Sequence, residues 1–128
     1  MSEQSCIFCK IVSGEAPSYK VWESDTHLAF LSIYPNTEGV TVVIPKKHFS
    51  SYAFEMQDED LFALMKATKE VALLLDKKLN VGRCAMIFEG FGVDHVHAKL
   101  FPLHGTSATE PWKPVLSLEE KQKEYIKS

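Results

Sequence analysis

Asp94-His95-Val96-His97-Ala98-Lys99-Leu100-Phe101-Pro102 is the stretch on which the reading of this chain turns. Side chains on a strand alternate between faces. An extended segment here puts His95, His97 and Lys99 on one face and Val96, Ala98 and Leu100 on the other. The second face is a core face. The first lines up two imidazoles and an ammonium where packing gains nothing from them, which points to a site for phosphate, metal or both.

Working outward, a Gly90-Phe91-Gly92 turn joins this strand, residues 95–101, to a preceding one at 84–88. Before that, residues 58–79 carry the clearest helical pattern. Leu61, Leu64, Met65, Val71, Leu74 and Leu75 recur at helical spacing as core residues, and Asp58 is the expected cap. Glu59 and Asp60 suit the positive end of the helix dipole, and Lys77 and Lys78 suit the negative end. Upstream, the β-branched run 41–44 is closed by Pro45, residues 34–39 form a loop, and 20–23 and 28–33 are strands around an Asp25-Thr26 turn. A short helix over 5–14, capped by Ser5 and stopped by Gly14, begins the fold. Neighbouring strands with short connections pair antiparallel, so the class is α+β.

The 128 residues fit a single domain over 1–128, with a core at about 5–104 and a polar tail at 105–128. A net charge of −3 argues against nucleic acid bound through a broad basic surface. A small anionic ligand still fits, because a pocket can be positive in an acidic protein. No window approaches the roughly 18 apolar residues of a membrane span. The first five residues, Met-Ser-Glu-Gln-Ser, lack the basic start and apolar run of a signal peptide. The expectation is a cytoplasmic protein that works neither on nucleic acid nor in a membrane. In that compartment Cys6 and Cys9, spaced C-x-x-C, read as a metal or redox pair, and Cys84 as a small apolar residue.

His48 and His95 are the imidazoles available to complete a Cys2His2 set with Cys6 and Cys9, the donor chemistry zinc prefers. A redox pair is the competing reading, although no strand precedes Cys6 as one does in thioredoxin-like units. His97 is the candidate nucleophile. A neutral imidazole attacks phosphorus directly when one nitrogen is free and the other is held in a fixed tautomer. Lys99, on the same face, is placed to neutralise charge on a transferring phosphoryl group.

Several ordered segments resemble one family. Cys6-Ile-Phe-Cys9-Lys-Ile-Val-Ser-Gly14-Glu-Ala-Pro17, Leu28-Ala-Phe-Leu, Val43-Ile-Pro45-Lys-Lys-His48 and His95-Val-His97 are similar to the histidine triad (HIT) superfamily, over most of residues 6–102. The resemblance implies an α+β fold with a five-stranded antiparallel sheet, one long helix and one short, in a homodimer whose sheets join across the interface. It implies a nucleotide hydrolase or transferase acting at the α-phosphate of phosphoramidates or dinucleoside polyphosphates. His97 takes the place of the nucleophile that forms a nucleotidyl-histidine intermediate. In members with a starting C-x-x-C, the positions of Cys6, Cys9, His48 and His95 hold a structural zinc ion. An apolar nucleoside pocket between the first helix and the second and third strands maps onto Ile7, Phe8, Ile11, Phe30, Ile33 and Val42. Of these, Phe8, Phe30, Ile33 and Val42 are the candidate substrate contacts.

The chain departs from the pattern at three places. Lys99 replaces the third triad histidine, and a lysine is a fixed charge with no proton to give near neutral pH. Ser32 stands where the family has a ribose-binding aspartate, and residues 89–94 make a shorter loop before the triad. Ser32 and Lys99 therefore complete the candidate substrate-binding set. The alternative function is a zinc-stabilised nucleotide-binding or interaction protein whose catalysis has weakened or lapsed. His104 reads as a surface turn residue, with a visit to the phosphate as the other reading. His27 reads as solvated beside a turn, and Trp112 as an anchor for the tail.

Overall fold

Alternation explains how this chain builds one sheet with a layer on each side. In a computed structural model, residues 5–35 and 37–104 are described. Among them the order is α1 (Ile7–Ser13), β1 (Lys20–Glu23), β2 (His27–Leu31), β3 (Thr41–Pro45), a 3-10 turn (Ala53–Glu55), α2 (Asp58–Leu79), β4 (Cys84–Ile87) and β5 (Ala98–Pro102). The five strands form one sheet in the order β1-β2-β3-β5-β4, antiparallel throughout. The α+β class and the five-stranded antiparallel sheet expected from the resemblance are both present.

In β2 and β3, Leu28 faces Ile44, Ala29 faces Val43 and Phe30 faces Val42. Ala29 and Val43 pack with Leu64, Val71 and Leu75 of α2, and Ala98 and Leu100 of β5 join them. Leu28, Phe30, Val42 and Ile44 point the other way, against Phe8 and Ile11 of α1. Both faces of the central strands are covered, which is why β3 reads as an unbroken apolar run with no alternation. Lys99 pairs with Val42 and so lies on the α1 face. The placement of Val96, Ala98 and Leu100 in the α2 core agrees with the alternation read from sequence.

The last strand starts later than residue 95. β5 begins at Ala98, and Val96 donates instead to the Phe49 carbonyl at 3.2 Å. The partner strand ends in Pro45, which has no N–H to give, and the Pro45 carbonyl is taken by the His95 ring at 2.8 Å. The two histidines therefore stand just beyond the ladder, freed from it by a proline.

The caps also differ from expectation. Cys6, not Ser5, caps α1: its backbone is extended and its Sγ accepts from the Cys9 N–H at 3.4 Å. Gly14 closes the helix with φ +86, a left-handed conformation that glycine takes without a Cβ penalty. Gln57 precedes α2, and Asp58 is its first residue, so the acidic groups act through the helix dipole and not as a side-chain cap. Met65 is 39% exposed and Leu74 is half-buried, so the core stripe of α2 is Leu64, Ala67, Thr68, Val71 and Leu75.

His27 is buried, contrary to the solvated reading. It opens β2 opposite Pro45, and its Nδ1 lies 2.8 Å from Thr26 Oγ1. Burial holds its pKa below the ordinary 6.5. The unfolded chain therefore takes up this proton first. Stability from His27 is full above about pH 6.5 and falls as pH drops toward the folded-state value. Urea unfolding of wild type and His27→Gln, compared at about pH 7.5 and about pH 5.5, is expected to show a flatter pH dependence in the variant, by up to about 1.4 kcal/mol per pH unit. Equal slopes in the two proteins would remove this assignment.

Candidate functional site

The N-terminal end of α1, the segment between β3 and the 3-10 turn, and the residues just before β5 bring Cys6 and Cys9, His48, and His95 together. Cys6 Sγ lies 3.4 Å from His95 Nδ1, Cys9 Sγ lies 3.5 Å from the same nitrogen, and Cys9 Sγ lies 3.3 Å from His48 Nδ1. Among the described residues these four side chains form a candidate metal group, with all four ligand atoms within 4.8 Å of one another. Zinc bonds of about 2.3 Å to sulfur and about 2.0 Å to nitrogen, at tetrahedral angles, place sulfur and nitrogen about 3.5 Å apart. The spacing found here matches that edge length.

The hydrogen bond behind His95 supports the same chemistry. The Nε2–H of His95 donates to the Pro45 carbonyl at 2.8 Å, which leaves Nδ1 bare toward the two sulfurs. A ligating histidine ordinarily fixes its tautomer in this way. Burial disfavours the charged form of His95, against a pull from the Pro45 carbonyl, and so keeps it a lone-pair donor. The donor set fits a metal ion. Cys84 is separate from this group. It is half-buried, its Sγ lies 3.3 Å from Asp76 Oδ1, and burial followed by that carboxylate pushes its thiol up to about 12. It stays protonated.

Next along the chain is His97, almost fully buried. Its Nδ1–H donates to the His95 carbonyl at 2.8 Å, so the tautomer leaves Nε2 with its lone pair. Burial pushes its pKa below the ordinary value and the Lys99 charge adds to that, against the His95 carbonyl and Glu89. Neutral imidazole is the form that attacks phosphorus. The Phe8 ring meets both histidines edge-on, with centroids 5.8 Å from His95 and 5.3 Å from His97. One aromatic side chain from α1 thus packs against both imidazoles.

Phe8, Phe30 and Val42 form one cluster, with the two rings edge-to-face at 5.4 Å. Ile33 is 68% exposed and lies past the end of β2. Ser32, beside it, accepts the Tyr34 N–H at 3.1 Å through Oγ. Lys99 Nζ is 2.7 Å from Glu89 Oε1. His104 is tied away from this chemistry: it follows β5, at the end opposite His97, and its Nε2–H donates to the Glu38 carbonyl at 2.8 Å. Trp112 lies outside the described residues. No sequence signal marks Glu89 as a partner, the Pro45 carbonyl as a clamp, or Ser51, whose N–H donates to Asp94 Oδ1 at 2.9 Å. A backbone carbonyl carries no residue signature, and Glu89 meets Lys99 only once β4 and β5 are paired.

Residues 13–106 match the HIT domain. The chain belongs to the HIT family. This HIT protein is 42% identical over 106 residues to an uncharacterized HIT-like protein of Methanocaldococcus jannaschii, covering 76% of this chain and 78% of that one. It is 39% identical over 103 residues to an adenosine 5'-monophosphoramidase of Schizosaccharomyces pombe, covering 77% and 74% of the two chains. Its fold is similar to the crystal structure of a zinc-bound histidine triad family protein from Mycobacterium smegmatis, with TM-score 0.73, 25% identity, and 97% and 92% coverage.

Proposed function

We propose that this HIT protein is a nucleotide phosphohydrolase or nucleotidyl transferase that acts at the α-phosphate through a nucleotidyl-histidine intermediate on His97. The observation that carries the reading is the 2.8 Å bond from His97 Nδ1–H to the His95 carbonyl, which leaves Nε2 as the nucleophilic atom. Attack by Nε2 forms a P–N bond as the bond to the leaving group breaks, and the positive charge gained by the ring is shared with the carbonyl that holds it. Water or another acceptor then takes the nucleotidyl group and restores His97. Phe8, Phe30 and Val42 offer an apolar wall for the nucleoside, Ser32 and Ile33 are the further candidate contacts, and Lys99 is the cation for the phosphate oxygens.

In the same reading, Cys6, Cys9, His48 and His95 hold a structural zinc ion, supported by the distances and by the zinc-bound family member of similar fold. When bound, the ion ties α1 to the His95 segment. The protein works as a homodimer, supported by β4 lying at the sheet edge with Met86 and Ile87 more than a third exposed.

A second reading has one observation in its favour. Lys99, held by Glu89, stands in place of the third triad histidine, which suits a nucleotide-binding protein with lapsed catalysis. Rapid acid quench of the protein with a labelled nucleoside phosphoramidate or dinucleoside polyphosphate, followed by peptide mass analysis, is expected to find a nucleotidyl adduct on His97. Product formation with no adduct there would defeat the nucleophile. Absence of turnover with retained binding of a nucleoside monophosphate would select the second reading.

A further inference from the structure

Glu89 belongs neither to the metal group nor to the apolar wall, yet its carboxylate lies against Lys99, the cation assigned above to the phosphate oxygens. Its loop packs closely against Ser51 at one end and is hydrogen-bonded to it at the other. Gly90, with φ +77, lies so close that a Cβ there would stand 2.9 Å from the Ser51 carbonyl oxygen, and Asp94 accepts the Ser51 N–H at 2.9 Å. From this anchored loop Glu89 accepts a hydrogen bond from Lys99 Nζ at 2.7 Å. Both side chains are about a third exposed, and Lys99 lies two residues beyond His97 in the same run. Lys99 alone would attract any phosphate, with no regard to what is bonded beyond it. The carboxylate makes the site discriminate.

We propose that Glu89 is a specificity-determining residue, whose carboxylate favours a leaving group positively charged at the atom bonded to phosphorus and disfavours one carrying further phosphate charge. The assignment rests on the nucleotidyl-His97 reading and names the preferred substrate within it. It also accounts for a site in which Lys99 replaces the third triad histidine. The nitrogen of a phosphoramidate protonated by solvent hydronium carries positive charge, which a neighbouring carboxylate stabilises, and the proton returns to solvent when water hydrolyses the nucleotidyl-His97 bond. As the His97 Nε2 lone pair forms its bond to phosphorus, the P–N bond to the substrate breaks, its electron pair goes to nitrogen, and a neutral amine leaves. No proton is needed from the protein. A polyphosphate leaving group instead brings several negative charges toward Glu89.

The test compares kcat/KM for adenosine 5'-phosphoramidate and diadenosine tetraphosphate in wild type, Glu89→Gln and Glu89→Asp. One charge acting over a few ångströms near the surface is worth about tenfold. Glu89→Gln is expected to lose about tenfold on the phosphoramidate, mainly in kcat, and to gain about tenfold on the tetraphosphate, so the ratio shifts about a hundredfold. Glu89→Asp, which keeps the charge, is expected to retain most of the wild-type ratio. A Glu89→Gln ratio unchanged, or both substrates moving by the same factor, would mean that Glu89 only supports Lys99, while leaving the His97 intermediate intact. Turnover of neither substrate by wild type, with no adduct on His97, would overturn the parent reading and this assignment together.

Discussion

His97→Gln is expected to lose nucleotide turnover by on the order of 10^4-fold or more in kcat while folding and binding nucleotide as wild type does. Glutamine is close in size to the imidazole, so the buried site between Phe8 and the His95 carbonyl stays filled. It has no lone-pair nitrogen for phosphorus. The loss therefore falls on the chemical step and not on KM. Steady-state kinetics with a nucleoside phosphoramidate, checked by an unchanged melting temperature and a nucleoside monophosphate titration, reads this directly. A variant retaining a tenth or more of wild-type kcat would place the nucleophile elsewhere. The size of the effect follows from the covalent route, which has no nucleophile once the His97 imidazole is gone.

Chelation is expected to lower the melting temperature of the isolated protein by about 10 °C or more, and elemental analysis to give about one zinc per chain. Zinc in small peptide sites contributes roughly 10 kcal/mol or more of apparent folding energy. Here Cys6 and His95 are fully buried and lie 89 positions apart in sequence. Without the ion, two thiols and two imidazoles face one another in a space sized for tetrahedral bonds, and α1 loses its tie to the sheet end. Cys6→Ser is expected to melt lower and to lose most of its sensitivity to chelator. Activity falls as well, because the His95 backbone carbonyl is what fixes the His97 tautomer. A wild-type melting temperature indifferent to chelator, or full metal content in Cys6→Ser, would dismiss the zinc assignment.

Particular residues explain how far the sequence could be read. The span Asp58–Leu79 of α2 was legible because its apolar residues recur with the helical period and Asn80-Val81-Gly82 stops them; Asn80 takes the left-handed conformation at its end. Met65 was misread because periodicity identifies a stripe and not its edges. The covered side of a helix is set by the sheet beneath it. The start of β5 was misread because Val96 finds its partner at Phe49, a contact 47 positions away in sequence. His27 was misread because a turn neighbour is usually solvated, whereas here the pairing of β2 with β3 closes over it.

By itself the sequence determined the alternating faces, the long helix, the α+β class, and the residue types able to serve as metal donors and nucleophile. Each of these depends on local spacing or on the intrinsic chemistry of a side chain. Tertiary structure alone decided that Cys6, Cys9, His48 and His95 converge, that the Pro45 and His95 carbonyls fix two tautomers, and that Glu89 stands against Lys99. These are distances between groups far apart along the chain, and only the packing of α1 and the strand order β3-β5-β4 brings them within bonding range.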